Sequence, residues 1–207
     1  MPAIANNMTY EKVKELQQYS WEDKELDERV EAGIEIPFCR DAIKLDLGTN
    51  REMKIPDPTL IFEKQIQLHL GGVSVFIEHI GGDHSPDSNL IYIPEEKALF
   101  LGDSLYANMY ATKWHYTIEK MTKLLEKIEQ YVADYFFLSH HPAPLNREEF
   151  SSFATLLKTS AELTDKHVGK LEAIKEDMSR TFGRDLTEED IEIIEYFANG
   201  YTIKKLK

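Results

Sequence analysis

Three side chains with metal-binding chemistry each directly follow a hydrophobic strand. They are His84, Asp103 and His140. Two imidazoles and one carboxylate are ligand types that suit zinc, iron or manganese. The ends of adjacent strands lie at one edge of a sheet, so the three side chains can meet there although they are far apart in sequence. The pattern therefore predicts a metal site that depends on tertiary folding.

The neighbouring histidines leave alternatives open at the third position. His140 and His141 compete for one role, and the pattern favours His140 because it follows the strand and Ser139 directly. His69 and His79 belong to strands, where a structural or solvent-facing role is expected.

Two hairpins and one further strand must position these residues. Apolar residues alternate with polar ones over 65–70 and 73–78 around a Gly-Gly turn, and 90–93 and 98–101 flank a second turn. A short apolar strand is predicted at 135–138. These strands end at the three candidate ligands.

Helices are predicted on both sides of this central part. Residues 9–18 and 20–33 fit two short helices, the second beginning at Ser20, and 114–131 fit an amphipathic helix that packs on the sheet. Beyond 146 the pattern is helical, with a break near 182–184 and a restart at 187. A short strand is expected at 2–5, and the proline-containing segment 34–58 is expected to be irregular or to form edge strands.

Composition excludes several classes of protein. The 207 residues include 37 Asp and Glu against 24 Lys and Arg, which gives a net charge of −13 and disfavours binding to nucleic acid or anionic lipid. No apolar stretch is long enough to span a membrane. The single cysteine, Cys39, cannot form an intramolecular disulfide, and the first residues lack the zones of a signal peptide, so a cytoplasmic location is expected.

Three segments, in this order, resemble the later metal motifs of the metallo-beta-lactamase fold superfamily. They are Gly-Gly-Asp-His-Ser-Pro-Asp-Ser at 81–88, Leu-Phe-Leu-Gly-Asp-Ser at 99–104 and Phe-Leu-Ser-His at 137–140. The hairpin before His84 also matches, and the resemblance covers roughly residues 1–145.

The resemblance implies roles for individual residues. His84 resembles the third histidine of the first metal site, Asp103 the carboxylate that bridges two metals, and His140 the last histidine, on the second metal. His115 lies where family members often build the substrate pocket and is a candidate substrate contact. The implied cofactor is zinc, with iron or manganese as alternatives.

One part of the family pattern is absent. The signature His-x-His-x-Asp-His, which supplies two histidines to the first metal and an Asp-His pair to the second, does not occur in these 207 residues. The resemblance therefore predicts an N-terminally truncated member. One histidine and a shared carboxylate hold zinc poorly, since zinc sites use three or four protein ligands, so metal binding by the isolated chain is expected to be weak.

The predicted fold is mixed α/β, a partial metallo-beta-lactamase αββα sandwich. It has a mainly antiparallel sheet, helices on one side and a helical C-terminal tail, with a partial lactamase-like domain at 1–145 and a helical extension at 146–207. The inner face of the sheet would lack its opposing layer, so self-association or pairing with a complementary chain is expected.

Two functions remain open at this point. The first is a metal-dependent hydrolase in which His84, Asp103 and His140 hold metal and activated water attacks an ester, amide, thioester or phosphoester of a small-molecule substrate. The second is a non-catalytic truncated or split relative that acts, if at all, by binding a partner.

Overall fold

The computed structural model describes residues 3–205, which form two compact units. The first extends to Glu63 and the second begins at Lys64. None of the helices in the described part is long and apolar enough to cross a membrane. The domain boundary expected after residue 145 stays a prediction.

The first unit combines a two-stranded parallel sheet with helices. Its elements are β1 (Ile4–Asn6), α1 (Asn7–Leu16), α2 (Asp23–Glu31), α3 (Pro37–Leu47) and β2 (Leu60–Phe62), with β1 pairing with β2. The Asn6 side chain begins α1 by accepting a hydrogen bond of 2.9 Å from the amide of Thr9. The strand expected at 2–5 is found at Ile4–Asn6, while its predicted residue Pro2 lies outside the described residues.

Helix α3 corrects part of the expectation that 34–58 is irregular or forms edge strands, whereas 48–58 contains no helix or strand. Pro37 stands in the first helical turn, where its missing N–H costs nothing because that position has no intrahelical acceptor. Arg40 and Lys44, on the first and second turns, pair with Asp27 of α2 at 3.3 and 2.8 Å. Pro37, which was expected to disfavour regular structure here, therefore marks the start of a helix.

The second unit is built on a six-stranded sheet whose strands follow chain order. The strands are β3 (Gln65–His69), β4 (Ser74–His79), β5 (Asn89–Ile93), β6 (Ala98–Gly102), β7 (Tyr135–Leu138) and β8 (Leu145–Asn146). Only the pair β6 and β7 is parallel, and the other neighbours are antiparallel. The mixed α/β fold with a mainly antiparallel sheet is confirmed.

One face of this sheet forms the core with the helices. Leu90, Leu99, Leu101 and Phe136 point to the same side and are buried. They pack with the apolar stripe of α4 (Ile118–Ile128), formed by Met121, Leu124, Leu125 and Ile128. Phe136 also stacks on Phe150 with ring centroids 3.9 Å apart. The apolar stripe of α4 therefore packs on this face of the sheet.

Helix α4 begins at Ile118, later than the predicted start at 114. Non-helical contacts hold the residues before Ile118. Asn108 and His115 form an antiparallel bridge, and the amide of Tyr116 donates to the carbonyl of Tyr196 at 3.1 Å. Trp114 to Thr117 thus belong to a loop.

The C-terminal part consists of α5 (Arg147–Lys166), α6 (Leu171–Phe182) and α7 (Glu188–Lys205). The predicted break near 182–184 and restart at 187 are confirmed. A further break, not predicted, lies between α5 and α6, where Val168 and Gly169 both have positive φ. Buried residues of all three helices, including Leu157, Ile174 and Phe197, belong to the same core as the sheet.

The opposite sheet face carries a continuous apolar row. The strand register aligns Ile66, Ile77, Ile91, Phe100 and Phe137 across five neighbouring strands. Phe100 and Phe137 stack with centroids 4.3 Å apart, and Ile91 is 36% exposed.

Candidate metal centre

Two glycine-containing loops bring the predicted ligands to one edge of the sheet. Gly102 ends β6 with φ +53°, a conformation that glycine adopts without strain, and Asp103 follows it. A Cβ on Gly82 would lie 3.0 Å from the carbonyl oxygen of Ser104, so a side chain there would push the two loops apart. Glycine at these positions lets the loop bearing His84 approach the loop bearing Asp103.

Asp103 lies between the two predicted histidines. Its Oδ2 is 3.7 Å from Nε2 of His84, and its Oδ1 is 3.5 Å from Nε2 of His140. Each carboxylate oxygen therefore faces a different imidazole. The structure brings all three predicted residues together, and their assignment as ligands stays a prediction.

The ring of His84 is oriented by a backbone contact. Its Nδ1 lies 3.1 Å from the carbonyl oxygen of Ala107. With its proton on Nδ1, the ring would donate to this carbonyl and present the lone pair of Nε2 on the side of Asp103. Histidine ligands of metals characteristically make such a contact with the nitrogen that does not bind the ion.

His140 reaches Asp103 because the chain turns sharply after β7. His140 has φ +63°, in the left-handed region that histidine enters more readily than most side chains do. Its side chain is 78% exposed, whereas that of His84 is 22% exposed. His141 instead contacts the carbonyl of Ala143 through Nδ1 at 2.6 Å.

Tyr106 joins the two histidine loops and was not predicted as a site residue. Its ring meets those of His84 and His140 edge-on, with centroids 6.2 and 5.9 Å away. Its hydroxyl donates to the carbonyl of Ser139. Burial, together with the charge of Asp103, raises the pKa of Tyr106, so the hydroxyl stays protonated as a donor. Proximity to Asp103 is the only sequence signal that could have pointed to this role.

Asp83 anchors the loop that carries His84. It is 6% exposed, and its carboxylate accepts a hydrogen bond of 2.5 Å from the amide of Thr117, the N-cap of α4. Lys120 lies 3.6 Å from the same carboxylate. A negative charge at a helix N-terminus is favourable, so this contact fixes the loop to α4.

Three other histidines, His69, His79 and His115, contact groups outside the candidate centre. His79 bonds to the carbonyl of Pro86 at 2.8 Å, and His69 lies 3.4 Å from the hydroxyl of Ser74. His115 contacts the carbonyl of Lys113 at 3.0 Å within the loop before α4. Its role as a substrate contact stays a prediction.

The chemical types of His84, Asp103 and His140, and the distances from Asp103 to each imidazole, suit a metal ion. Asp103 Oδ1 is buried and accepts no hydrogen bond from any described residue. Two ligands of one tetrahedral zinc lie about 3.4 Å apart, which follows from metal–ligand distances of about 2.1 Å and is close to both observed separations. However, residues 3–205 contain no group of three or more His, Cys, Asp or Glu arranged to hold one ion. The geometry is that of a carboxylate between two half-sites, each of which needs further ligands.

Comparison with known proteins identifies the family. The model of the metallo-beta-lactamase superfamily matches residues 7–140, a span that contains all three candidate ligands and ends at His140. A search of curated proteins gives no significant match.

Solved structures show likeness at low sequence identity. A double variant of the sec-alkylsulfatase PisA1 superposes with a TM-score of 0.50 at 13% identity, over 76% of this chain and 28% of the sulfatase. A metallo-beta-lactamase family protein from Thermus thermophilus has a TM-score of 0.47 at 13% identity, over 99% of this chain and 67% of that one. An archaeal superfamily protein from Sulfolobus tokodaii has a TM-score of 0.44 at 13% identity, over 98% and 70%.

At these identities the sulfatase shows a shared fold alone, and this chain spans 28% of its length. The family match rests on sequence and covers well over half of the chain. The chain belongs to the metallo-beta-lactamase superfamily.

Proposed function

We propose that the chain is a metal-dependent hydrolase whose centre is held by His84, Asp103 and His140. The observation that carries the proposal is the position of Asp103, whose two oxygens face one imidazole each at 3.7 and 3.5 Å. Zinc, iron or manganese would be held there. A bound ion of this kind supplies Lewis acidity and lowers the pKa of water to about 7.

The residues of the chain have defined tasks in this proposal. Proton donation to the Ala107 carbonyl keeps Nε2 of His84 available as a ligand. Tyr106 holds the backbone at Ser139 and thereby supports the left-handed turn at His140. Asp83 keeps the His84 loop on α4.

The reaction is hydrolysis of a small-molecule ester, amide, thioester or phosphoester. The oxygen of water bonds to the carbonyl carbon or phosphorus, the bond to the leaving group breaks, and the leaving group departs with a proton. Asp103 and the two imidazoles orient the reacting groups. Cytoplasmic location is part of the proposal, in keeping with the single cysteine.

Elemental mass spectrometry and ester hydrolysis test the hydrolase. Equilibrated with excess zinc, the purified chain should take up about one or two ions and should hydrolyse nitrophenyl esters and thioesters. The variant His84→Ala/Asp103→Asn should lose both metal and hydrolysis, and a chelator should abolish hydrolysis in the parent.

The matched control is His69→Ala, which removes an imidazole that lies outside the centre. It should keep the metal content and the rate of the parent. A parent chain that carries no ion, or whose hydrolysis survives the chelator and the double variant, would contradict the proposal.

A second candidate is a chain that depends on a partner. The absence of a complete single-ion group from residues 3–205 favours ligands supplied by another polypeptide. The apolar row Ile66, Ile77, Ile91, Phe100 and Phe137 favours self-association or binding of a complementary chain. Activity that arises only on mixing with a polypeptide bearing His-x-His-x-Asp-His would support this candidate over the first.

A further inference from the structure

A solvent-open cavity of about 980 Å³, most of whose lining residues are exposed, lies beside the candidate metal centre and has no role in the function proposed so far. Its wall includes Tyr106, whose ring meets those of both His84 and His140. The volume is at the upper end of the usual range for small-molecule sites. We call it the C-terminal cavity because α5 and the turn between α6 and α7 form much of it.

The lining of the C-terminal cavity is apolar in one part. The apolar side chains are Leu138, Leu145, Phe153, Leu156 and Phe182. They come from β7, β8, α5 and the end of α6. A flexible alkyl or aryl group of a ligand would find apolar contacts there.

The polar part of the lining carries a negative charge. Four carboxylates, those of Glu148, Glu149, Glu189 and Asp190, stand against the single guanidinium of Arg184. Arg184 is already engaged, because its two terminal nitrogens bind Asp190 at 2.5 and 3.1 Å. Glu148 and Glu189 each stand in the first turn of a helix and form no ion pair with another described side chain.

The charges of this lining distinguish between possible ligands. An anionic group would meet uncompensated carboxylates, while the only lysine or arginine among the described lining residues is held by Asp190. A cationic group would be attracted to Glu148 and Glu189, and its apolar chain would replace water on Phe153 and its neighbours.

We propose that the C-terminal cavity binds a cationic amphiphile, a molecule with a positively charged nitrogen on an alkyl or aryl chain. Any role of this binding in catalysis rests on the proposed hydrolase. In that case the cationic amphiphilic group is the part of the substrate that the enzyme recognises, and Tyr106 lies between it and the metal centre. The binding itself requires neither metal nor hydrolysis.

Calorimetric titration of the metal-free chain tests the proposal with two probes of equal chain length. At about 20 mM salt, where charges are weakly screened, octylammonium should bind at least about tenfold more tightly than octanoate. Glu148→Gln/Glu189→Gln should weaken octylammonium at least about fivefold, because it removes the two unpaired carboxylates. Phe153→Ala should weaken binding through lost apolar contact.

The control is Glu126→Gln/Glu162→Gln, which makes the same change of net charge at positions that do not line the cavity. It should bind octylammonium as the parent does. Equal affinity for both probes, no binding of octylammonium, or equal losses in the two double variants would each overturn the proposal. Circular dichroism of every variant confirms that it is folded.

The outcome is separable from that of the hydrolase. A chain that binds octylammonium but carries no metal would retain the cavity assignment and contradict the hydrolase. A chain that hydrolyses esters but does not bind octylammonium would support the hydrolase and contradict the cavity assignment.

Discussion

At the scale of single residues, the contacts that orient a side chain matter as much as its type. His84 and His140 carry the same imidazole, yet His84 is fixed by the Ala107 carbonyl and His140 depends on a left-handed backbone. Tyr106 connects them through ring contacts and through Ser139. We expect the half-site at His84 to be the more rigid one, since its side chain is also less exposed.

Asp177 provides a test of pH dependence at the residue scale. Hydrogen bonds from Lys166 and His167, at 2.6 and 2.7 Å, lower the pKa of Asp177 to about 2. An unfolded aspartate titrates near about 3.9. The folded carboxylate is therefore favoured at any pH above about 4, and this stabilisation is lost as the pH falls through about 2.

Asp177→Asn should consequently lower the Tm at pH 7. The difference from the parent should close between about pH 4 and about pH 2, where the parent loses the same interaction. Thermal unfolding followed by circular dichroism measures this, with the exposed Asp185→Asn as control. A constant difference across the whole range would contradict the assignment.

At the scale of elements, helix α7 holds the loop that follows the metal centre. The amide of Tyr116 donates to Tyr196 at 3.1 Å, and the Asn199 side chain donates to the carbonyl of Trp114 at 3.0 Å. Burial raises the pKa of Tyr116, so its hydroxyl remains a donor to the carbonyl of Leu105 at 3.0 Å. The same segment between β6 and α4 contains Ala107, whose carbonyl contacts His84. The C-terminal helix therefore supports the site from a distance.

Gly200 makes this contact testable. A Cβ at Gly200 would lie 1.9 Å from the carbonyl oxygen of Tyr116, which is far inside van der Waals contact. Glycine to alanine in a helix normally stabilises by about 1 kcal/mol. Here the steric overlap outweighs that gain. Gly200→Ala should lower the free energy of unfolding by about 1–3 kcal/mol, because α7 is pushed away from the loop.

Urea denaturation measures the free energy of unfolding of Gly200→Ala against the parent. Glu162→Ala, a substitution in α5 away from this contact, serves as a helix substitution without a clash and should change stability little. If Gly200→Ala proves neutral or stabilising, the close packing of α7 on Tyr116 is wrong.

At the scale of the whole molecule, net charge and apolar surface act in opposite directions. The charge of −13 opposes association between copies, while the apolar row across the six-stranded sheet favours it. Because salt screens the repulsion and leaves apolar contact intact, association should increase with ionic strength.

Sedimentation velocity tests association directly. The parent should sediment as a species larger than a monomer, and Ile91→Lys, which places a charge in the middle of the apolar row, should shift it toward the monomer. Val132→Lys is the control, since Val132 is 63% exposed and lies outside this row. A well-behaved monomer at high protein and salt concentration would contradict the expectation.

The parts of the molecule that could be predicted are those encoded locally. Alternation of apolar and polar residues indicated β3 and β4, short apolar runs indicated β5 to β7, and helical periodicity indicated α4, because each pattern reflects which side chains are buried. Helix α3 was missed because Pro37 has opposite meanings inside a helix and at its first turn. The start of α4 was misplaced because the loop before it is held by Tyr196, a residue far along the chain from Tyr116.

Local patterns pointed to His84, Asp103 and His140, which the structure places in the loops after β4, β6 and β7, and their role as ligands stays a prediction. Folding of the whole chain was needed to place Asp103 between the imidazoles, to turn His140 rather than His141 toward it, and to open a cavity beside Tyr106. The difference arises because strand patterns reflect neighbours in the chain. The geometry of the site depends instead on backbone carbonyls such as those of Ala107 and Ser139, which every residue type provides and no sequence pattern marks.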